Sequence, residues 1–479
     1  MQTRSRLNPL FLLVLFGVAP AVDAQVNPEL ARRYFEEATK LCERDAGRLW
    51  GVSLCGPMVI VDQATGTRAT SQPEPEGPPP RFPGFVDGPV TWGGLRWFSF
   101  PLYMLPANDA DVRQQLMLHG LFHRIQPGLG FMQGVQDDGA NEHLDTLEGR
   151  VWMQLEWRAL RRAVESTGSD RAEAVADALA FRLERRRRFP GAADNERRDE
   201  IREGLASYTG IAAWANSPAD ARRAAAAATS GGELQTSFVG NFEAASGPAY
   251  GVLLDDLLPG WRRQLRGTSD LGDLLASASN RPPTTDLAVA AVRYDGAALR
   301  TAEEARDRAQ QVRVAELRRR FVDGPVLTMP AGGSGTSDTT DSVGIPGIGT
   351  VFFRNFTLSA RWGRLNANGG VLRSADGTTL SVPVTGRLEG TTLQGDGWSA
   401  TLNSGWVVRP AARPGSFVIV RENSSALQMA GADTQRSLPG YPLIDVLVFG
   451  ADLKIVGIVV GAAAGPSLMS LWRSVTSTT

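Results

Sequence analysis

Over roughly the first two thirds of the chain, apolar residues return every three or four positions, and beyond that they alternate in short runs. The change separates a helical block from a β-rich one. The periodicity predicts helices at 28–49, 108–126, 149–166, 170–188, 192–213, 219–229, 247–258 and 297–321. A strand is expected at 56–62, and the aromatic stretch 91–103 reads as a strand feeding the next helix. That helix carries the clearest end signals, with Asn108 as N-cap, Asp109 and Asp111 in its first turn and Pro127-Gly128 as its stop. Its apolar residues, among them Leu116, Leu118 and Phe122, run almost all the way round, so it should be central and buried. Later runs at 350–362, 379–384, 397–402 and 405–408 read as strands.

Breaks in the pattern divide the chain. Arg4 and Arg6, the apolar run from Leu10 to Val18 and the small residues Ala21 and Ala24 form a signal peptide at 1–24, so the mature chain is expected to begin at Gln25 in the periplasm or outside the cell. Residues 25–90 make an N-terminal segment ending in a surface linker, since the span 72–84 holds six prolines. A helical domain follows at 91–329. Residues 330–345, rich in Gly, Ser, Thr and Asp and without hydrophobic period, are expected to be a linker. A small β domain occupies 346–421, and a hydrophobic tail 422–479. Asp445, Asp452 and Lys454 interrupt the tail, which favours buried strands over a membrane span. The fold class expected is therefore α+β, a predominantly helical domain followed by a small β domain.

The chain holds two cysteines, Cys42 and Cys55, which an oxidising compartment should join across a short loop. A formal net charge of −1 argues against a nucleic-acid partner; a peptide or protein partner fits better. The run Arg185 to Arg188 closes a predicted helix, complements its dipole and should be solvated. Glu156, in mid-helix, is expected to pair with Arg158 or Arg162, or to support a histidine.

Of three histidines in the chain, His119 and His123 fall four residues apart on the helix 108–126. That spacing puts both imidazoles on one face, a turn apart, where they can reach one ion. Val112 and Leu116 share the face, so the pair should point inward. A third ligand can come from Glu142, in a loop, or from Glu203, on the helix 192–213. Periodicity alone makes Glu203 solvent-facing, because Glu196, Asp199, Glu200 and Ser207 share its side while Ile201, Leu205 and Tyr208 form the apolar one.

The segments His119-Gly120-Leu121-Phe122-His123-Arg124-Ile125-Gln126 and Glu203-Gly204-Leu205-Ala206-Ser207-Tyr208 resemble the gluzincin class of zinc metallopeptidases, the aminopeptidase-N-like and thermolysin-like enzymes. Those enzymes carry His-Glu-x-x-His on one helix and a zinc-binding glutamate on a later one. More closely, the chain is similar to exported bacterial proteins that read His-Glu-x-Phe-His-Arg-x-Gln and Glu-Gly-Leu-Ala-Glu-Tyr-Thr-Gly. The resemblance spans residues 42–408. It implies a zincin-like helical domain with Zn2+ held by His119, His123 and Glu203; Tyr208 and Tyr250 are candidate oxyanion donors by residue type, though core packing is the expected role of each. Two positions depart from the pattern. Gly120 stands where the general base belongs, and Ser207 replaces an acidic residue. The expectation is a peptidase-like protein impaired in hydrolysis, with two alternatives: a peptide- or envelope-binding protein using the old cleft, or a hydrolase whose base is Glu200 or Glu142.

Overall fold

Why the polypeptide turns where it does is visible from its first helix. In the computed structural model, α1 (Pro28–Asp45) starts with Asn27, whose side chain accepts from the amides of Glu29 and Leu30 at 2.9 and 3.2 Å, and with Pro28 in the first turn, where no amide is needed. It ends at Asp45, four residues before the expected end, capped by Ala46, a left-handed residue (φ 48°). Cys42 and Cys55 form a disulfide, as expected. The structure describes residues 26–62, 65–80, 82, 87–131, 141–337 and 341–422, together with the strand pair Asp445–Val448 and Ile455–Val459. The expected signal peptide lies outside these residues, as does most of the tail. Among the described residues no helix is long and apolar enough to cross a membrane.

A four-stranded sheet comes next: β1 (Met58–Val61), β2 (Arg68–Thr70), β3 (Gly88–Trp92) and β4 (Leu95–Pro101), in the spatial order β2-β1-β4-β3. The stretch expected as one strand is a hairpin instead. Gly93 and Gly94 take φ of 57° and 74°, the two left-handed positions of a tight turn whose twist suits antiparallel neighbours. Strands β1 and β4 run parallel, so Met58, Ile60, Phe98 and Phe100 enter the main core, while Val59, Val61, Trp92 and Trp97 form a second cluster on the other face.

Helix α2 (Ala110–Ile125) lies against β4, capped by Asp109 rather than Asn108. Then come α3 (Leu147–Glu165), α4 (Gly168–Arg188) and α5 (Ala192–Asp199), a single π turn over Glu200–Gly204, and α6 (Leu205–Trp214). Helices α7 (Pro218–Glu233) and α8 (Phe242–Leu257), the short α9 (Trp261–Gln264), α10 (Leu271–Ala278) and α11 (Leu287–Val292), and α12 (Gly296–Arg318) complete the helical part.

The arginine run departs from its expected exposure. Arg185 is fully buried, with Nε and Nη2 donating to Glu196 at 2.7 and 2.9 Å and Nη1 donating to Glu156. Arg186 joins Glu196 to Asp270, and Arg182 holds Glu200. Glu156 therefore pairs with neither Arg158 nor Arg162 and meets no histidine; it takes Arg185 and the Tyr250 hydroxyl, at 2.7 Å. Only Arg187 and Arg188 behave as surface residues, bonding Glu184.

The chain divides into two compact units, Met1–Arg308 and Ala309–Thr479, with the boundary inside α12. The second unit is β-rich, so the chain is α+β. One sheet has the order Thr392–Gly395, Trp398–Leu402, Gly363–Ala367, Phe356–Ala360, Gly333–Thr336. The other runs Trp406–Pro410, Phe417–Arg421, Val326–Pro330, Thr379–Pro383, Val371–Ser374, Gly349–Phe352, Ser342–Ile345. Their inner faces share a core that includes Leu327, Leu358, Leu365 and Trp398. The expected linker at 330–345 thus contributes a strand to each sheet, and the β unit begins before 346.

Candidate metal centre

Three close backbone approaches bring the site together. A Cβ at position 120 would lie 2.5 Å from Phe98 Cε1 and 2.6 Å from Phe100 Cε1, so glycine is what lets α2 rest on β4. A Cβ at position 210 would lie 2.5 Å from the Gln115 carbonyl oxygen, and this glycine lets α6 rest on α2. A Cβ at position 247 would come within 2.4 Å of Gly204 Cα, and this pair seats α8 directly on the π turn.

These contacts converge His119, His123 and Glu203. The Nε2 atoms of the two histidines are 3.0 Å apart, and Glu203 Oε2 lies 3.0 Å from His123 Nε2 and 3.4 Å from His119 Nε2. Three donors about 2.0–2.1 Å from one tetrahedral ion would be separated by about 3.3 Å, so the residues fit zinc or a cation of its kind. This is the group of His, Cys, Asp and Glu side chains among the described residues with metal-holding geometry. All three are partly exposed, with 13–25% of their side-chain surface accessible, and between them they supply three ligand atoms.

The surrounding bonds orient the ligands. Gln126 Nε2 donates to the carbonyls of Ile201 and Arg202 at 3.0 and 2.8 Å, so its Oε1 faces His123 Nδ1 at 2.8 Å. An oxygen there requires the proton on Nδ1, so the neutral ring has its lone pair on Nε2 for a cation, and the protonated ring donates from Nε2 to Glu203. The two carbonyls belong to the π turn, where the widened backbone leaves acceptors for a side chain to satisfy. His119 Nδ1 has Ser207 Oγ, a neutral partner, at 3.3 Å. The second oxygen of Glu203 faces Arg202 at 3.5 Å. Burial alone would raise the Glu203 carboxyl, but hydrogen bonds and charge from both histidines hold it well below the usual carboxylate range. Burial would lower His123; Glu203, with Gln126 and Asp87, outweighs it and raises the imidazole.

Not every expected residue joins. Glu142 is exposed at the start of a short turn, Glu142–Asp145, outside the cluster; the neighbouring His143 bonds Glu196 at 3.0 Å. Glu200 is buried in the grip of Arg182 and is unavailable as a substitute base. Tyr208 and Tyr250 are wholly buried, their hydroxyls bound to Asp255 and Glu156, so neither serves as an oxyanion donor. The solvated side once read for Glu203 is not solvated, since Glu196 and Glu200 are buried. The histidine face, in turn, opens outward: Val112, one turn and more before the pair, is 43% exposed. Two contributors escaped sequence reasoning. Gln126 was readable only as part of the His-Arg-x-Gln resemblance. Glu243, near the start of α8, is buried with an unpartnered Oε2; burial, then the charges of Glu203 and Asp199, push its carboxyl up to about 8.

No protein-family model, curated protein or solved structure matches the chain. What fold and site define together is an α+β, disulfide-bonded protein with a His-His-Glu cluster of metal-ligand geometry on two packed helices.

Proposed function

We propose that this protein is an exported member of the zinc-metallopeptidase-like class that binds a divalent cation, zinc in the first instance, without efficient hydrolysis. The observation that carries this reading is the 3.0–3.4 Å spacing of three donor atoms from His119, His123 and Glu203. A bound zinc would polarise a carbonyl and acidify a bound water. The chain's own part is to hold the ion, and position 120, beside the first histidine, offers no proton acceptor. Gly120 has no side chain, and the space a carboxylate would need there is filled by Phe98 and Phe100. The disulfide fits an oxidising compartment, in line with the leader read in the sequence.

The test is a zinc and cobalt titration of chelator-treated protein, with a mixed peptide library as substrate. One metal per chain, weakened at least tenfold in His123→Ala and Glu203→Ala and unaffected in Glu142→Ala, is expected, with negligible cleavage. Absence of binding would overturn the metal reading. Chelator-sensitive cleavage lost in His123→Ala would overturn the impaired-enzyme reading.

A further inference from the structure

Arg124, next to His123, carries a charge that no acidic side chain among the described residues meets. Its Nη2 donates to the carbonyls of Cys55, Leu54 and Ser53 at 2.6, 3.3 and 3.4 Å, and its Nε is buried without a partner. A Cβ at position 56 would lie 2.2 Å from that Nε, so Gly56 allows the guanidinium to lie flat on the loop's end. The three carbonyls belong to the segment closed by the Cys42–Cys55 disulfide. The same loop presents Trp50, whose ring packs 5.0 Å from Phe122 and whose Nε1 donates to Thr209 on α6 at 3.0 Å. One covalently closed loop thus grips the residues on both sides of His123 and the helix that continues from Glu203. Cys42 is anchored in the core at one end, while residues 51–53 at the tip are exposed.

We propose that the disulfide loop is a clamp that positions His123 through Arg124 and Trp50, so that closure of the loop by the Cys42–Cys55 bond raises the affinity of the metal centre. The proposal rests on the metal-binding reading above. Opening the disulfide removes no ligand. It frees a chain segment held at both ends, and a loop with more conformations presents three aligned carbonyls to a buried cation for less of the time. Arg124 is a positioning residue, acting on metal only through His123.

The test measures Co2+ affinity, by visible absorption with Zn2+ competition, for wild type, Cys42→Ser/Cys55→Ser, Arg124→Ala, Arg124→Lys and the triple Cys42→Ser/Cys55→Ser/Arg124→Ala. Serine avoids new thiol ligands. The cysteine pair and Arg124→Ala should each weaken binding about tenfold, the low end for groups that support a ligand. Arg124→Lys, which keeps a donor, should recover part of the loss. The triple variant should be little worse than either parent, because both changes break one contact. Tyr294→Phe, which loses a bond to Asp177 on α4, should lower the melting temperature with affinity intact. Wild-type affinity in the cysteine-free protein would overturn the clamp while leaving the metal site standing. A wild type that binds no Co2+ would overturn both.

Discussion

Consider Gly120→Ala, the smallest change at the position where a peptidase would keep its base. Helix propensity favours alanine by about 1 kcal/mol in a helix interior, so on local grounds the substitution should stabilise. Packing predicts the opposite sign. Ordinary carbon contacts lie at about 3.5–4.0 Å, whereas the added methyl would sit 2.5 Å from Phe98 and 2.6 Å from Phe100. Both rings are essentially buried, at 1% and 2% exposure, so neither can swing into solvent. Overpacking of this kind costs about 1–3 kcal/mol, and with two rings displaced the upper part of that range applies. The net expectation is a loss of about 1–2 kcal/mol, a fall of several degrees in melting temperature for a unit of this size. Gly120→Glu should lose more and gain no peptidase activity. Thermal and urea unfolding followed by circular dichroism would measure the effect, with Phe100→Leu added to make room. The double variant should be less destabilised than the two single changes sum to. If Gly120→Ala instead raised the melting temperature, the close approach of α2 to β4 would be wrong, and with it the argument that no base fits.

Other outcomes follow from the same structure. Arg185→Ala should cost about 3 kcal/mol, the low end for breaking a buried pair, because Glu156 keeps Arg182 and Glu196 keeps Arg186, whereas Arg187→Ala at the surface should leave the urea midpoint unchanged; equal effects would contradict the buried network. In metal-free protein, the raised Glu243 carboxyl keeps a proton that the unfolded chain releases. Its contribution should therefore be intact below about pH 4.5 and fall away as pH rises toward about 8, a change on the order of a few kcal/mol. Glu243→Gln should flatten that decline in urea unfolding across the interval, and parallel profiles for the two proteins would show that Glu243 is ionised when folded.

Much of the helical part was legible because its periods are long and its ends are marked by caps, as with Pro28 and the aspartates before Val112. The histidine pair was legible because a four-residue spacing on one helix fixes a common face without tertiary information. What escaped depended on partners far along the chain or on a change of backbone geometry. The π turn at Glu200–Gly204 adds one residue to a helical turn, and no periodicity announces it. The arginine run looked solvated because its acceptors, Glu156, Glu196 and Asp270, come from other elements. The supposed linker lacked alternation for a physical reason. Gly333–Thr336 is an edge strand exposed throughout, which needs backbone pairing more than apolar side chains, while in the edge strand Ser342–Ile345 only Val343 and Ile345 turn inward, too few residues to make a period.

Holding a cation and cleaving a bond with it rest here on two sets of contacts. The ligands are set by Gln126 reaching across to the π turn, by Gly204 against Gly247, and by the loop around Arg124. The base position is set by the sheet beneath α2, where Phe98 and Phe100 occupy the room that Gly120 vacates. The two sets meet on α2, where the Phe98 ring that fills the space beside Gly120 also stacks on His123 at 6.1 Å. A carboxylate placed at 120 must displace two buried rings before it can face a water. If the centre binds a cation as proposed, a ligand of that cation is therefore the first molecule to look for beside His119, His123 and Glu203.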